Sequence, residues 1–148
     1  MAKVLFLHGL ESRPGGYKAK KLEEAGHEVI NPALMRESFS ESVKIAQEAF
    51  DAHKPDVIVG SSFGGAVAMS LSAYGAKKVL IAPAWKRFDR QLDAVGKETI
   101  VLHSEYDSIV PFKDSTELAE KTGATLVSVG TTHRMRGKEA IEALLTSI

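Results

Sequence analysis

Short runs of Val, Ile and Leu recur along the chain, nearly continuous rather than alternating with polar residues. Residues 4–7, 28–30, 57–59, 79–82, 100–102 and 125–129 each read as a strand. Continuous apolar runs of this length mark strands buried on both faces of a parallel sheet, since a single buried face would leave every second residue polar. Between the runs the apolar spacing changes to three and four. Residues 17–25 place Ala19, Leu22 and Ala25 on one stripe, closed by Gly26 at a C′ position. Ser38-Phe39-Ser40-Glu41 reads as a capping box opening a helix with Ala46, Ala49 and Phe50 on one face, which must stop before Lys54-Pro55. A further helix is expected to be capped within Asp114 to Glu117 and ended by Gly123. The last, from Lys138, gathers Ala140, Ile141, Leu144, Leu145 and Ile148. Strands alternating with helices need right-handed crossovers, so the pattern predicts an α/β fold: a doubly wound, mainly parallel six-stranded sheet with helices on both faces.

Composition narrows the function classes. The 148 residues, 44% hydrophobic and 26% charged, suit one globular domain spanning 1–148. A chain this long can bury roughly 68–70% of its unfolded surface. Lys plus Arg equals Asp plus Glu at 19 each, so no net field draws the protein to nucleic acid or to an anionic membrane, and neither is expected as a partner. With no cysteine, disulfides, thiolate metal sites and a cysteine nucleophile are excluded. The apolar run at 4–7 is too short for a secretion signal or a membrane span, which leads to the expectation of a cytoplasmic protein.

Open parallel sheets bind ligands beyond the carboxyl ends of their strands. That rule sorts the reactive side chains. Directly after the third run stands Gly60-Ser61-Ser62-Phe63-Gly64-Gly65, followed by the small-residue helix Ala66-Val67-Ala68-Met69. Three fixed positions of G-x-S-x-G occur by chance about once in twenty chains of this length; strand, sharp turn and helix around them give the pattern its meaning. A serine presented on so tight a turn needs a strained backbone, and glycines two before and two after relieve the crowding. The turn also aims the Phe63 N–H at the place where an oxyanion forms, beside a helix N-terminus. Neither a lysine after the glycines nor G-x-G-x-x-G is present, which argues against a phosphate-cradling loop.

A serine nucleophile needs a base, and the base an orienting acid. His27 and His53 fall at the opposite edge of the sheet, and His103 lies within a strand that should be buried. His133, after the sixth run, is on the correct edge and is the candidate base. For the acid, Asp56 precedes its strand and faces away. Asp107 follows the fifth run and is the candidate, with Glu105 two residues nearer the strand end as its rival. His8-Gly9-Leu10 closes the first run, where Gly9 lets the backbone turn beside the nucleophile and makes the Leu10 N–H the partner of Phe63 in an oxyanion hole. Trp85 after the fourth run is a candidate wall of the acyl site or, equally, packing for residues 88–92. Arg13 and Tyr17 are candidates for the mouth, and Arg87 or Arg134 for attracting a carboxylate-bearing substrate.

Through His8-Gly9, the turn at Gly60 to Gly65, Asp107 with Val110-Pro111, and His133, the chain resembles the α/β-hydrolase superfamily over essentially its whole length. Its opening stretch, VLFLHGLESRPGGYKAKKLEEAGHEVINP, is similar to that of small bacterial esterases of the YqiA type. The resemblance implies strand order 2-1-3-4-5-6 and a serine hydrolase acting on small carboxylic esters, with Ser62 as nucleophile, Asp107 as acid and His133 as base. No metal or cofactor is called for. Larger members begin with two strands this chain lacks, and many have a glycine where Ser104-Glu105 stand here. Relatives insert a cap between the fourth and fifth strands, where this chain has only residues 84–98, so an open, lidless site and a small acyl-ester substrate are expected. A thioesterase, lactonase, amidase or acyltransferase would use the same residues, and a binding protein on the same scaffold would retain the fold alone.

Overall fold

The computed structural model describes residues 1–148 except Ala94. Eleven elements follow in order: β1 (Lys3–Leu7), α1 (Tyr17–Glu24), β2 (Glu28–Ile30), α2 (Phe39–His53), β3 (Val57–Ser61), α3 (Phe63–Met69), β4 (Lys77–Ile81), β5 (Ile100–His103), α4 (Phe112–Thr122), β6 (Thr125–Ser128) and α5 (Lys138–Ser147). The strands form one sheet in the order β2-β1-β3-β4-β5-β6, and every pairing is parallel. This is the α/β-hydrolase arrangement.

The continuous apolar runs serve two cores at once. Leu5, Leu7, Ile58, Leu80 and Val101 point to one face, where they meet Ala46 of α2, Val67 of α3 and Leu118 of α4. Their neighbours Val4, Phe6, Val57, Val59, Val79 and Ile81 point to the other, against Ala19 and Leu22 of α1 and Ala140 and Leu144 of α5. Successive strand side chains alternate faces, so a strand covered on both sides has no position left for a polar residue.

Two local expectations are corrected. Only half of the capping box forms: Ser38 Oγ accepts from the Glu41 N–H at 3.2 Å, while the Ser38 N–H donates to Met35 O. Helix α4 starts two residues before Asp114, with Pro111 at the N-cap, because proline's fixed φ suits a helix entrance and needs no N–H there. Asp114 sits in the first turn instead, 3.5 Å from Lys86 Nζ. Between β4 and β5 the described residues form turns rather than a helix; the chain bends sharply at Ala82 and Asp89, both at positive φ.

Candidate active site

The turn after β3 carries Ser62 at φ 56° and ψ −110°, a strained conformation for a residue with a side chain. Both of its peptide groups are engaged. Its N–H donates to Ile81 O at 2.8 Å, and its carbonyl accepts from Ala84 N–H at 3.1 Å and Gly65 N–H at 3.0 Å. A Cβ on Gly60 would collide with the Gly64 carbonyl, and one on Gly64 with the Leu7 carbonyl of the neighbouring strand. The glycines therefore let α3 start directly against the sheet. Phe63, buried, locks that start from its other side: its ring meets Phe39 edge-on at 5.7 Å and Phe88 edge-on at 5.1 Å.

The loops after β5 and β6 bring the candidate acid and the candidate base to this turn. His133 Nε2 lies 3.0 Å from Ser62 Oγ, and His133 Nδ1 lies 2.6 Å from Asp107 Oδ2. With a carboxylate at Nδ1, that nitrogen carries the proton and Nε2 presents its lone pair to the hydroxyl. Asp107 Oδ1 accepts from the Ile109 and Val110 N–H groups at 2.7 and 2.8 Å. Burial pushes this carboxyl up, but the hydrogen bonds from His133 and from those two amides outweigh it and hold Asp107 below the usual carboxylate range. Glu105 is exposed, and among the described residues His133 bonds to Asp107 and Ser62 rather than to it. Ser104 donates to Gly130 O at 3.0 Å, stitching the acid's loop to the base's loop.

His103, set aside on sequence as strand packing, is the last residue of β5 and belongs to this network. Its ring is fully buried. Nε2 faces Asp107 Oδ2 at 3.1 Å and Val110 O at 3.0 Å, both acceptors, so Nε2 carries the proton. Nδ1 then accepts from Ser115 Oγ of α4 at 2.6 Å. Burial pushes the imidazole's pKa down, against the opposing pull of Asp107, so the buried ring disfavours a proton. No sequence motif marks this residue; a histidine ending a strand four positions before the candidate acid is the one signal.

His8 is buried too, but it serves the scaffold: Nε2 accepts from the Leu34 N–H at 3.0 Å and Nδ1 donates to Gly9 O at 2.8 Å. The turn it holds brings Gly9 beside Ser62, where an added Cβ would lie 3.7 Å from Ser62 Cβ. Leu10 and Phe63 follow these two turns, and among the described residues neither of their N–H groups donates to a backbone or side-chain acceptor. Two clefts meet at Ser62. The larger, about 330 Å³, is lined by Arg13 and Tyr17 and also by Arg87 and Arg134. The smaller, about 80 Å³, is bounded by Leu10, Phe63, Phe88 and Val110. Trp85 lines neither: it is buried against the core with Nε1 donating to Asp114 O at 3.0 Å, because an indole N–H taken from water needs a partner and the start of α4 supplies one. Lys18, Arg36 and Arg136, which also line the large cleft, were not singled out on sequence; they arrive from three separate segments and share no local pattern. Among the described residues no group of three His, Asp or Glu side chains is placed to hold a metal ion, and no helix is long and apolar enough to cross a membrane.

Residues 3–108 match the family described as "Uncharacterised protein family (UPF0227)". Among curated proteins no match is found. The fold is shared with solved structures at low identity. Alpha/beta hydrolase domain-containing protein 10 from mouse superposes with a TM-score of 0.77 at 17% identity, covering 98% of this chain and 87% of that one. Est1E from Butyrivibrio proteoclasticus gives 0.80 at 15% identity, covering 97% and 84%. A putative hydrolase of the alpha/beta superfamily from Xanthomonas campestris gives 0.71 at 20% identity, covering 99% and 95%.

Proposed function

We propose that this chain, which belongs to the UPF0227 family, is a serine hydrolase that cleaves small carboxylic esters through an acyl-enzyme on Ser62. The observation that carries this reading is the position of His133, 3.0 Å from the Ser62 hydroxyl and 2.6 Å from the Asp107 carboxylate. Ser62 Oγ attacks the ester carbonyl carbon while its proton passes to His133 Nε2. Asp107 holds the imidazole in the required tautomer and stabilises the imidazolium that forms. The Phe63 and Leu10 N–H groups receive the negative oxygen of the tetrahedral intermediate; losing one such donor typically costs about a hundredfold to a thousandfold in rate. As the carbonyl re-forms, the bond to the alcohol oxygen breaks and His133 Nε2 gives that oxygen its proton. Water then attacks the acyl-enzyme with His133 again as base, the carboxylic acid leaves, and Oγ recovers its hydrogen.

The test is hydrolysis of p-nitrophenyl acetate and butyrate by the wild type beside Ser62→Ala, with a fluorophosphonate probe read by intact mass. Turnover and labelling should both vanish in the variant, a loss of about 10⁶ in kcat. A histidine base accepts the hydroxyl proton only when neutral, so an acylation rate that does not fall on acidification rules one out.

A further inference from the structure

The larger cleft is charged far out of proportion to the chain. Lys and Arg balance Asp and Glu at 19 each overall. Yet Arg13, Lys18, Arg36, Arg87, Arg134 and Arg136 all line this one cavity, with Glu11 as the single carboxylate among its walls. Glu11 reaches Arg134 at 3.8 Å, and both side chains are largely exposed, so the contact neutralises little. Elsewhere Lys86 pairs with Glu117 and Asp114, Lys121 with Glu117 and Lys21 with Glu24. Within the cleft the like charges crowd one another. Lys18 Nζ donates to the Arg134 carbonyl at 2.6 Å, and burial together with the charges of Arg136 and Arg134 lowers its pKa to about 8. Gathering cations without counter-charges works against folding, so the arrangement is accounted for by what it binds.

Charge and position identify the ligand. One carboxylate is satisfied by one bidentate arginine. A phosphate monoester carries a charge of about −1.5 to −2 and three strong acceptor oxygens, which suits several converging donors. Arg134 and Arg136 lie one and three residues beyond His133, and Lys18 is bonded to that same loop. These cations thus surround the histidine that returns the proton to the departing alcohol. The small cleft of about 80 Å³, on the Phe63 and Val110 side of Ser62, has apolar walls in Leu10, Phe63, Phe88 and Val110 and charged ones in Lys86, Arg87 and Asp114, with room for an acyl group of only a few carbons.

We propose that the substrate is a short-chain acyl ester of a phosphorylated alcohol: the acyl group occupies the small cleft, and Lys18, Arg134 and Arg136 hold the phosphate of the leaving half. This rests on the hydrolase reading above and specifies its substrate class. When the acyl carbon–oxygen bond breaks, the electron pair stays on the alcohol oxygen, His133 Nε2 supplies its proton, and the phosphorylated alcohol departs with its phosphate intact.

Binding and turnover test this separately. Calorimetry of Ser62→Ala with inorganic pyrophosphate and inorganic phosphate, at fixed ionic strength, should show pyrophosphate binding with Kd at or below about 1 mM. Malonate, the dicarboxylate control, should bind at least about tenfold more weakly. Arg136→Gln and Lys18→Met, each built on Ser62→Ala, should weaken pyrophosphate by about tenfold or more; two independent variants guard against one failing to fold. In wild type, kcat/KM for 2-acetoxyethyl phosphate should exceed that for the neutral 2-methoxyethyl acetate by about tenfold or more, and the ratio should collapse in Arg136→Gln. Absence of pyrophosphate binding, or equal kcat/KM for the two esters, overturns the proposal. Malonate binding as tightly as pyrophosphate overturns the phosphate in favour of a carboxylate. If pyrophosphate binds while neither ester nor the p-nitrophenyl esters are cleaved, the phosphate site stands and the hydrolase reading fails.

Discussion

Ser62 is held through its own main chain, whereas Asp107 and His133 are held through their side chains. The turn at Ser62 is clamped by peptide hydrogen bonds to β4 and the segment after it, with bare glycine backbones pressed together beneath it. On the other side of the cleft, Asp107 is fixed by two amides and two imidazoles, and one of those imidazoles is braced by Ser115 of α4. A main-chain clamp tolerates almost no added atom. A side-chain network tolerates volume but depends on each proton being on the right atom.

Exchanging one atom in the network separates the two modes most sharply. Asp107→Asn can keep a carbonyl oxygen for the Ile109 and Val110 amides while turning an NH2 towards His133, which forces the proton onto Nε2. The fold should survive with kcat for p-nitrophenyl acetate down about 10⁴. Gly64→Ala tests the clamp. Its new methyl has the Leu7 carbonyl in its way, so a loss of about 3 kcal/mol or more in urea denaturation is expected, with activity falling alongside. An unchanged midpoint with full activity breaks the comparison.

Smaller effects sharpen it. His103→Leu leaves Ser115 Oγ without its acceptor and takes a donor from Asp107 and Val110, for an expected cost of about 2–3 kcal/mol, read as a shift in the urea midpoint. Acid should act on the same cluster. His103 resists protonation when folded, so below about pH 6.5 the unfolded chain binds more protons and stability begins to fall. Asp107, depressed when folded, adds its own loss as pH drops below about 4 and through its lower folded value. The decline between pH 7 and 5 should therefore be shallower in His103→Leu than in wild type, measured as urea midpoint against pH. Glu105→Gln should leave kcat/KM within about twofold, since an exposed side chain that is not the partner of His133 is a surface substitution; a drop like that of Asp107→Asn would reassign the acid.

The same contrast explains what was legible in the sequence. Main-chain demands leave a mark in the residue types themselves: Gly60, Ser62 and Gly64 stand at fixed offsets, and the doubly buried strands read as continuous Val, Ile and Leu. Side-chain networks form between segments and leave no spacing. Glu105 and Asp107 are equivalent by position, and only the N–H groups of Ile109 and Val110 folding back over Asp107 distinguish them. His103 looked like strand packing because burial and hydrogen bonding to a neighbour both follow from a strand end. Position alone leaves Trp85 equally a pocket wall or packing, and its indole N–H, bonded to Asp114 O across 29 residues of chain, decides for packing. β4 begins at Lys77, ahead of its apolar run, since the buried Lys78 covers core with its methylenes and places Nζ 3.3 Å from Leu71 O.

The wide separation between Ser62 and His133 along the chain, 71 residues, bears on how the protein is made. During synthesis the serine's turn emerges well before β5 and β6, whose ends position the acid and the base. A nascent chain that has completed β1, β3 and β4 can present the hydroxyl but has nothing to remove its proton. On the proposed mechanism, reactivity arrives only when the far edge of the sheet has docked, the slow, non-local step of a parallel fold. Fluorophosphonate capture during refolding would then report the closing of that last edge, trailing the appearance of helical signal.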